Sequence, residues 1–423
     1  MKVINKHLLI NKQKKNVLYS FFMYFCAVLR AYKYELVLND SQKEFMNKSF
    51  GCARFIYNYC LDRKTKLYET EKKRISQFDL CKEVVLLKKK EGFEWLQEID
   101  HQTLSCAVMN LDKAFTKFFR EKKGYPNFKS KHNSKQSAQF TQGVQIDFEN
   151  NKIRFPKIGW CKVKFSREFD GLHKTVTVSR NSVGRYFVSI LVDNDIPLPE
   201  KALINESTAV GIDVGIKHFA TLSTGEKIDN PKYYEKSQKK LAVLQRRVSK
   251  KVKGSNRHKK AKLRVAKLHY KITNQRKDFT NKLSTKIVRE NQSVIIEDLN
   301  VAGMLQNHCL AKSISSVSWS EFFSQLQYKC DWYGKNLIRI GRFEPSSRLC
   351  TCGVKNTELK LSDRKWTCKS CGVTHDRDLL AANNIKKFGL VDQNLIGEGI
   401  AEFKGVEKLS NGSSVKRQCS TLK

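Results

Sequence analysis

The spacing of apolar residues changes along the chain and separates helical from extended segments. Tyr32–Leu38 alternates apolar and polar residues as a strand does, and the next stretch repeats apolar residues at helical spacing. That stretch opens with Ser41-x-x-Glu44, which predicts a capping box at the helix start. A further helix is predicted over Gln102–Phe119, with a charged, helix-prone segment between the two. Tyr125–Lys129 ends the helical pattern.

After the helices the apolar period becomes two. Two hairpins are predicted, one from Val144–Phe148 with Lys152–Phe155 and one from Thr175–Ser179 with Tyr186–Val192. A small β domain is therefore expected after the helical segment. Ile196–Pro199 is rich in proline and predicts a linker between this β domain and the next apolar strand.

The stretch Ala209–Ser223 reads as two apolar strands with one acid, Asp213, inside the first. Gly215 allows the tight turn between them. A carboxylate is expensive to bury without a cation or several hydrogen-bond donors. Asp213 is therefore either a structural residue that caps a turn or a metal-binding carboxylate on the first strand of an RNase H-like sheet.

The segment from about residue 233 to residue 290 predicts two basic helices that bend at Gly254-Ser255-Asn256. It is either an exposed helical pair or a surface that holds the phosphate backbone of a duplex, where each contact releases a counterion. The candidate phosphate contacts cluster around the bend: Arg246, Arg247, Lys250, Lys251, Lys253, Lys259, Lys260 and Lys262.

Two later acids complete a candidate metal site with Asp213. Glu297 follows the apolar strand Ser293–Ile296, and Asp378 precedes a last helix over Leu379–Phe388. Three carboxylates within about 5 Å would repel by roughly 3 kcal/mol per pair at an effective dielectric of about 20. Divalent cations remove that repulsion, and ligation by oxygen alone suits Mg²⁺ or Mn²⁺.

The segment between these two acids has its own expected elements. Asn300–Ser316 is predicted as a polar loop. Ser318-x-x-Glu321 predicts a capped helix, and Leu337–Ile340 predicts a strand.

Four cysteines form two pairs with metal-site spacing. Cys368-Lys369-Ser370-Cys371 is a usual zinc knuckle, whereas Cys350 and Cys352 are separated by one residue only. Two interpretations remain, a structural zinc ribbon and a degraded ribbon with free thiols. The other cysteines are scattered among apolar residues, which favours a reducing, cytoplasmic compartment.

Composition supports a polyanionic partner. The 423 residues include 80 Lys+Arg against 41 Asp+Glu, a formal net charge of +39 spread along the chain. This favours nucleic acid over a membrane surface. The apolar run Val17–Leu29 resembles a signal peptide, but it is too short to span a bilayer. We therefore interpret residues 1–30 as a non-native or disordered extension, with Met23 as a candidate start, and residues 391–423 as a flexible tail.

Several motifs together resemble the TnpB (OrfB) family of insertion-sequence proteins, relatives of the miniature type V CRISPR nucleases. The resemblance runs from about Ala31 to Phe388. The motifs are F-G-C-A-R-F-I-Y-N at Phe50–Asn58, Y-P-N-F-K-S-K at Tyr125–Lys131, G-I-D-V-G at Gly211–Gly215, H-Y-K-I-T-N-Q-R-K-D-F at His269–Phe279, I-I-E-D-L-N at Ile295–Asn300, P-S-S-R-L-C at Pro345–Cys350 and H-D-R-D at His375–Asp378.

The resemblance implies a multidomain α+β architecture. Residues 31–200 would form a β-barrel-like wedge domain with a helical recognition insert at about 40–120. An RNase H-like (RuvC) nuclease domain would come next at 205–343 and 375–390, with the basic hairpin at about 233–290 and a zinc ribbon at 344–374.

The resemblance also implies activity and partners. The chain would be a Mg²⁺-dependent endonuclease that cleaves DNA by two-metal-ion hydrolysis with Asp213, Glu297 and Asp378. A guide RNA would select target DNA beside a short flanking motif, the protein acting as a monomer with its RNA. Zn²⁺ would be held by the four paired cysteines.

Two departures from the family pattern leave an alternative open. The first cysteine pair is one residue short, and Leu380 stands where the family carries an amide side chain two residues after the acid. The missing amide could loosen the position of Asp378. A catalytically impaired or regulatory nucleic-acid-binding protein is therefore the alternative. A strand-transferring transposase is less favoured, because no Tyr or Ser constellation for covalent attack on DNA is visible.

Overall fold

The computed structural model describes residues 27–132, 136–308, 310–360 and 362–391. Contacts between Cα atoms divide the chain into two compact units. The first contains the described residues up to Leu198 together with Lys240–Lys271, and the second contains Pro199–Lys239 and the described residues from Ile272 onward.

A seven-stranded antiparallel sheet forms the basis of the first unit. Its spatial order is β2-β6-β7-β1-β5-β4-β3. The predicted hairpins are confirmed as β3 with β4 and β6 with β7, whereas β2 and β5 were not predicted. The strands are β1 Ala27–Val37, β2 Gln136–Phe140, β3 Gln145–Asp147, β4 Lys152–Phe155, β5 Gly159–Lys164, β6 Leu172–Arg180 and β7 Tyr186–Pro197.

This sheet curls over a single apolar core. Phe140 of β2 and Phe155 of β4 lie near opposite ends of the strand order, yet their ring centroids are 5.1 Å apart. Among the described strands, β2 and β3 are not paired with each other, so the strand order itself is open. The β-barrel-like closure of this unit therefore stays an expectation.

Three helices come after β1, namely α1 Asp40–Glu71, α2 Gln77–Leu87 and α3 His101–Glu121, with a 3₁₀ turn at Glu94–Glu98. They bury their own core between them. The predicted capping box was wrong in position. Asn39 Oδ1 accepts from the Gln42 backbone N–H at 2.8 Å, and Gln42 Oε1 accepts from the Asn39 N–H at 3.1 Å. The box therefore begins two residues before Ser41.

Strand β1 also begins earlier than the sequence predicted. Ala27–Arg30, which we assigned to the N-terminal extension, pair with β7, whose partner residues reach Pro197. The predicted linker Ile196–Pro199 therefore starts as strand. Residues 1–26 and 392–423, with the candidate start Met23 and the tail, lie outside the described residues. Within the described part of the chain, no helix has the length and apolar character that crossing a membrane requires.

The second unit contains a five-stranded sheet with the order β10-β9-β8-β11-β12. Strand β9 is antiparallel to both β8 and β10, while β11 is parallel to both β8 and β12. The strands are β8 Ala209–Val214, β9 His218–Leu222, β10 Lys227–Asp229, β11 Ser293–Glu297 and β12 Asn336–Ile340. A short antiparallel ladder pairs β13 Lys365–Thr367 with β14 Thr374–Asp376.

The remaining helices confirm the predicted bend and correct the predicted loop. They are α4 Tyr233–Ser249, α5 Asn256–Glu290, α6 Val301–Met304, α7 Ala311–Val317, α8 Trp319–Trp332 and α9 Arg377–Val391. The break at Gly254 is confirmed. Asn300–Ser316 is not a plain loop, because Asn300 caps α6 and Ile314 of α7 is buried. Helix α8 exists as predicted, but Ser318 makes no side-chain cap and lies in the left-handed region.

Helix α9 lies against the five-stranded sheet at two glycines. A Cβ on Gly211 of β8 would sit 2.1 Å from the backbone oxygen of Ala382, and a Cβ on Gly389 of α9 would sit 2.5 Å from Ile295. At Gly211 the clash is with backbone, which cannot rotate away, so only glycine permits this approach there. The two glycines therefore fix how closely α9, and the acid in its first turn, approach the sheet.

Candidate functional site

Two of the three predicted acids lie at the ends of neighbouring parallel strands. The register pairs Ile212 of β8 with Ile296 of β11, so the next residues, Asp213 and Glu297, are level with each other. The apolar residues before each acid are buried in the sheet, which fixes the positions of both strand ends. Both acids are half-buried and so remain open on one side.

The third acid is positioned by the start of α9. Asp378 lies in the first turn of this helix and is also half-buried. Asp376 caps the helix, because its Oδ1 accepts from the Leu379 backbone N–H at 3.2 Å. Asp376 is itself held by Lys227 of β10, whose Nζ lies 2.6 Å from Oδ2. The start of α9 is therefore held at β10, the edge strand of the sheet whose inner strand β8 carries Asp213.

The three acids lie close enough for their charges to interact. Burial, then the negative charges of Glu297 and Asp378, raise the pKa of Asp213 well above its ordinary value. Burial also raises the pKa of Glu297, although a hydrogen bond from Ser346 opposes this shift. Neighbouring carboxylates whose negative charges repel one another fit a divalent cation, which would remove that repulsion.

Sequence reasoning missed a hydrogen-bond chain that orients Glu297. Ser346 Oγ donates to Glu297 Oε1 at 2.6 Å. The buried amide of Asn384 donates to the Ser346 and Leu349 backbone oxygens at 2.7 and 2.8 Å. Helix α9 therefore supports both Glu297 and Asp378. Ser346 lies in the quoted P-S-S-R-L-C motif, which was its only signal in the sequence.

Two arginines beside the acids were also missed. Arg364 Nη1 lies 3.6 Å from Asp378 Oδ1, and its side chain is 56% exposed. Arg377 and Arg364 both lower the pKa of Asp213, against the larger effect of burial. Arg364 precedes β13, far from Asp213 in sequence, so no local pattern indicated its position. An exposed guanidinium next to an acidic metal site can contact a substrate phosphate.

The structure gathers the four predicted cysteines into one cluster. The sulfur atoms of Cys350, Cys352, Cys368 and Cys371 all lie within 4.8 Å of one another. Both knuckles turn at a glycine with positive φ, Gly353 at 91° and Gly372 at 69°. The shorter first pair therefore still reaches the cluster.

The thiols of this cluster differ in how readily they ionise. Backbone N–H groups of Cys371 and Ser370 lower the pKa of Cys368 to about 6. The Val354 N–H favours the thiolate of Cys352, but the neighbouring thiols prevail and raise the pKa of Cys352 to about 12. Four sulfurs this close together fit a thiolate-binding cation such as Zn²⁺.

A histidine that sequence reasoning did not assign contacts this cluster. His375 Nε2 lies 3.0 Å from Cys350 Sγ, and the His375 ring lies 5.0 Å from that of Trp366. His375 is buried, and it stands next to Asp376, the cap of α9. It therefore links the cysteine cluster to the helix that carries Asp378.

We expect purified, reduced protein to hold about one zinc ion per chain, since four thiolates complete a closed tetrahedral site. Elemental analysis measures the content. Cys371→Ser should lose most of the zinc, whereas Cys81→Ser, a partly exposed thiol on α2, should keep it. Zinc-free wild-type protein with all thiols reactive would instead show a degraded ribbon.

Leu380 is buried in an apolar cluster with Cys350, Leu359, Trp366 and Cys368. Only 4% of its surface is exposed. The sequence alone suggested that the missing amide at this position loosens Asp378. The packing favours the competing interpretation, in which Leu380 joins α9 to the cysteine cluster.

Leu380→Asn is therefore expected to destabilise the protein by about 2–4 kcal/mol, because it removes buried apolar surface and buries an unpaired amide. The melting temperature should fall, with no gain in cleavage rate. Leu380→Met, which nearly conserves volume, should cost less than about 1.5 kcal/mol. An unchanged melting temperature with faster cleavage would show that the amide orients Asp378 after all.

The structure places the eight predicted phosphate contacts on α4, α5 and the turn between them. All eight are exposed, and within the described residues none of them forms an ion pair. No acidic residue occurs between Glu235 and Asp278. The bend is thus a concentrated cationic surface.

Three family models match consecutive parts of the chain. A helix-turn-helix domain matches residues 23–73, a probable transposase of the IS605 OrfB type matches residues 188–308, and a Cas12f1-like TNB domain matches residues 319–385. The described part of the first range forms β1 and the single long helix α1. The other two ranges contain all three acids and all four clustered cysteines.

Curated relatives match almost the whole chain. A Streptomyces pristinaespiralis protein, whose name describes an RNA-guided DNA endonuclease, is 41% identical over 92% of this chain and 96% of its own length. Escherichia coli K12 InsQ, named in the same way, is 32% identical over 85% and 92%. A cryo-EM structure of a Cas12f1–sgRNA–target DNA complex shares the fold, with a TM-score of 0.52 and 16% identity over 82% of this chain and 83% of that one.

Proposed function

Because the chain belongs to the TnpB (OrfB) family of transposon-encoded proteins, we propose that it is an RNA-guided DNA endonuclease. The observation that carries this proposal is the placement of Asp213 and Glu297 at the ends of adjacent parallel strands, with the charge of Asp378 acting on Asp213, on a chain of net charge +39. The matched relatives, whose names describe this activity, support it.

We assign the second unit to a RuvC-type, RNase H-like nuclease domain. The mixed sheet, with an antiparallel β10-β9-β8 edge and parallel β8-β11-β12, supports this assignment. The cysteine segment, inserted between β12 and α9, would be the zinc ribbon at 344–374. The curled sheet with α1–α3 would be the wedge domain with its recognition helices.

The three acids would hold Mg²⁺ or Mn²⁺, which when bound supply electrophilic stabilisation of the attacking and leaving oxygens of a phosphodiester. Ser346 would hold the Glu297 carboxylate in its binding orientation, and Asp376 would hold the start of α9. Arg364, exposed beside Asp378, would bind the substrate phosphate and keep the strand in line for attack.

Base pairing between the guide RNA and the target strand would select the sequence, and the protein would hold the RNA–DNA duplex through its backbone. The exposed cations at the bend between α4 and α5 would contact the heteroduplex backbone. We place the protein in the reducing cytoplasm, because the four clustered thiols must stay reduced to bind zinc. We propose that it acts as a monomer with its RNA.

The alternative of an impaired, non-cleaving protein rested on two departures. The short first cysteine pair still brings its sulfurs into the cluster. Leu380 fills an apolar site, and α9 is held instead by Asn384 and Asp376. Both departures are therefore compatible with a working site.

The test is to express the protein with its own genomic flanks, sequence the RNA that co-purifies, and assay the complex on a plasmid library. We expect one RNA species that ends in a variable guide segment, and Mg²⁺-dependent double-strand cleavage of matching targets. Protein that binds its RNA and a matching target but never cuts, at any Mg²⁺ or Mn²⁺ concentration, would establish the non-cleaving alternative.

A further inference from the structure

The last turns of α1 and α3 form an aromatic surface that the proposed chemistry does not use. The two helices run parallel: Lys48 contacts Glu98 just before α3, and Lys64 contacts Asp112 further along. Their C-terminal ends therefore lie together, joined by a 2.9 Å hydrogen bond between Thr65 and Tyr125. We call the rings gathered there the aromatic end: Tyr68, Phe115, Phe118, Phe119 and Tyr125.

Three of the five rings of the aromatic end are exposed, although large rings are usually buried. Phe119 is 70% exposed, Tyr68 52% and Tyr125 46%. Phe119 is nevertheless fixed by its neighbours, since its centroid lies 5.0 Å from that of Phe118 and 6.3 Å from that of Phe115. Phe118 in turn packs edge-on against Tyr125 at 5.4 Å. Preformed rings that face solvent are typical of a binding surface.

Cations lie on the same helix ends as these rings. Lys72 lies 5.4 Å above the Tyr68 ring. Within the described residues, five exposed cations on or just after these last turns form no ion pair: Lys72, Arg74, Lys117, Arg120 and Lys122. Unpaired nucleotides can bind such a surface, because their bases stack on aromatic rings and their phosphates contact cations.

We propose that the aromatic end binds unpaired nucleotides of the DNA strand displaced when the guide pairs with its target, with bases stacked on Phe119 and Tyr125. Rings and cations contact any base and any phosphate, so this surface is indifferent to sequence. The displaced strand needs such a surface, because its sequence changes with every guide. Unpaired parts of the RNA scaffold are constant and can be recognised by specific hydrogen bonds. This inference rests on the proposed function.

The test uses the full chain purified with its co-expressed RNA, so that RNA-binding surfaces are already filled. A short single-stranded DNA of mixed sequence, labelled for fluorescence anisotropy, is titrated at several salt concentrations. The variants are Phe119→Ala, Phe119→Trp, which keeps a stacking ring, and Arg120→Gln. Phe78→Ala is the matched control, because Phe78 is 75% exposed on α2 of the same unit.

Phe119→Ala should weaken DNA binding about five- to tenfold, the lower range for loss of one stacking ring, without changing the slope of log K against log salt. Phe119→Trp and Phe78→Ala should bind as the wild type does. Arg120→Gln should lower the magnitude of that slope by about 0.7, as expected for one phosphate contact on a single strand.

Photo-crosslinking identifies the strand. With 5-iodouracil in the DNA, peptides that contain Phe119 or Tyr125 should be crosslinked. Unchanged DNA affinity of Phe119→Ala, or crosslinks to these peptides from 5-iodouridine in the bound RNA, would overturn the assignment. Cleavage by the wild-type complex is measured separately. If the wild type cleaves DNA but Phe119→Ala binds the DNA as tightly as the wild type, only the assignment of this surface is wrong. If the wild type binds no RNA or cleaves no DNA, the proposed function is wrong as well.

Discussion

Asp213→Asn is expected to abolish DNA cleavage while guide RNA stays bound. Loss of a residue that only supports a metal ligand typically costs about 10–100-fold, so loss of the ligand itself should exceed ~100-fold. RNA should stay bound, because the proposed phosphate contacts lie on α4 and α5 and not at the end of β8, which carries Asp213. Cleavage assays with matched plasmid targets, beside an RNA-retention assay, measure both effects.

Thermal melts separate metal binding from folding. The raised pKa of Asp213 means that its charged form is disfavoured in the folded protein, so without metal the neutral Asn should be at least as stable as wild type at neutral pH. Mg²⁺ should raise the melting temperature of wild type but not of Asp213→Asn. Asp278→Asn, a solvent-facing acid paired with Lys282, should behave as wild type. Undiminished cleavage by Asp213→Asn would remove this residue from the site.

Gly211→Ala should have the second-largest effect, although Gly211 touches no substrate. Its new Cβ would lie 2.1 Å from the Ala382 backbone oxygen and 2.7 Å from the Lys386 backbone nitrogen. Backbone cannot rotate away as a side chain can, so α9 must move. A displacement of about 1 Å typically costs ~100-fold in rate, and overpacking costs about 1–3 kcal/mol of stability.

Cleavage rate and melting temperature should therefore both fall in Gly211→Ala. Gly124→Ala is the control, because a Cβ there meets no atom within 4 Å. Gly389→Ala should be milder, since its Cβ would meet the Ile295 side chain, which can adjust. Wild-type cleavage by Gly211→Ala would show that the distance between α9 and β8 does not position Asp378.

The sequence was most informative where a residue type conflicts with its local pattern. An acid inside an apolar strand, as at Asp213, and an acid at a strand end, as at Glu297, predict a cation site without any knowledge of tertiary structure, and that site stays a prediction. The paired cysteines do the same, because their spacing limits what they can bind. The parallel register of β8 and β11 brings Asp213 level with Glu297.

Residues whose role arises only from tertiary contacts could not be found in this way. Arg364 reaches Asp378, His375 reaches Cys350 and Asn384 reaches Ser346 through folding of segments that are separate in sequence. Leu380 shows the opposite limitation. A missing amide looked like a defect in the sequence, but the surrounding side chains form an apolar site into which leucine fits.

Guide exchange tests the central claim most directly. The protein is loaded with its RNA carrying either of two guide segments and incubated with two plasmids that differ only in the target sequence. We predict that each complex cuts only the plasmid that matches its guide, and that Asp213→Asn cuts neither. Cleavage that is independent of the guide, or cleavage that survives in Asp213→Asn, would contradict an RNA-guided nuclease built on these three acids.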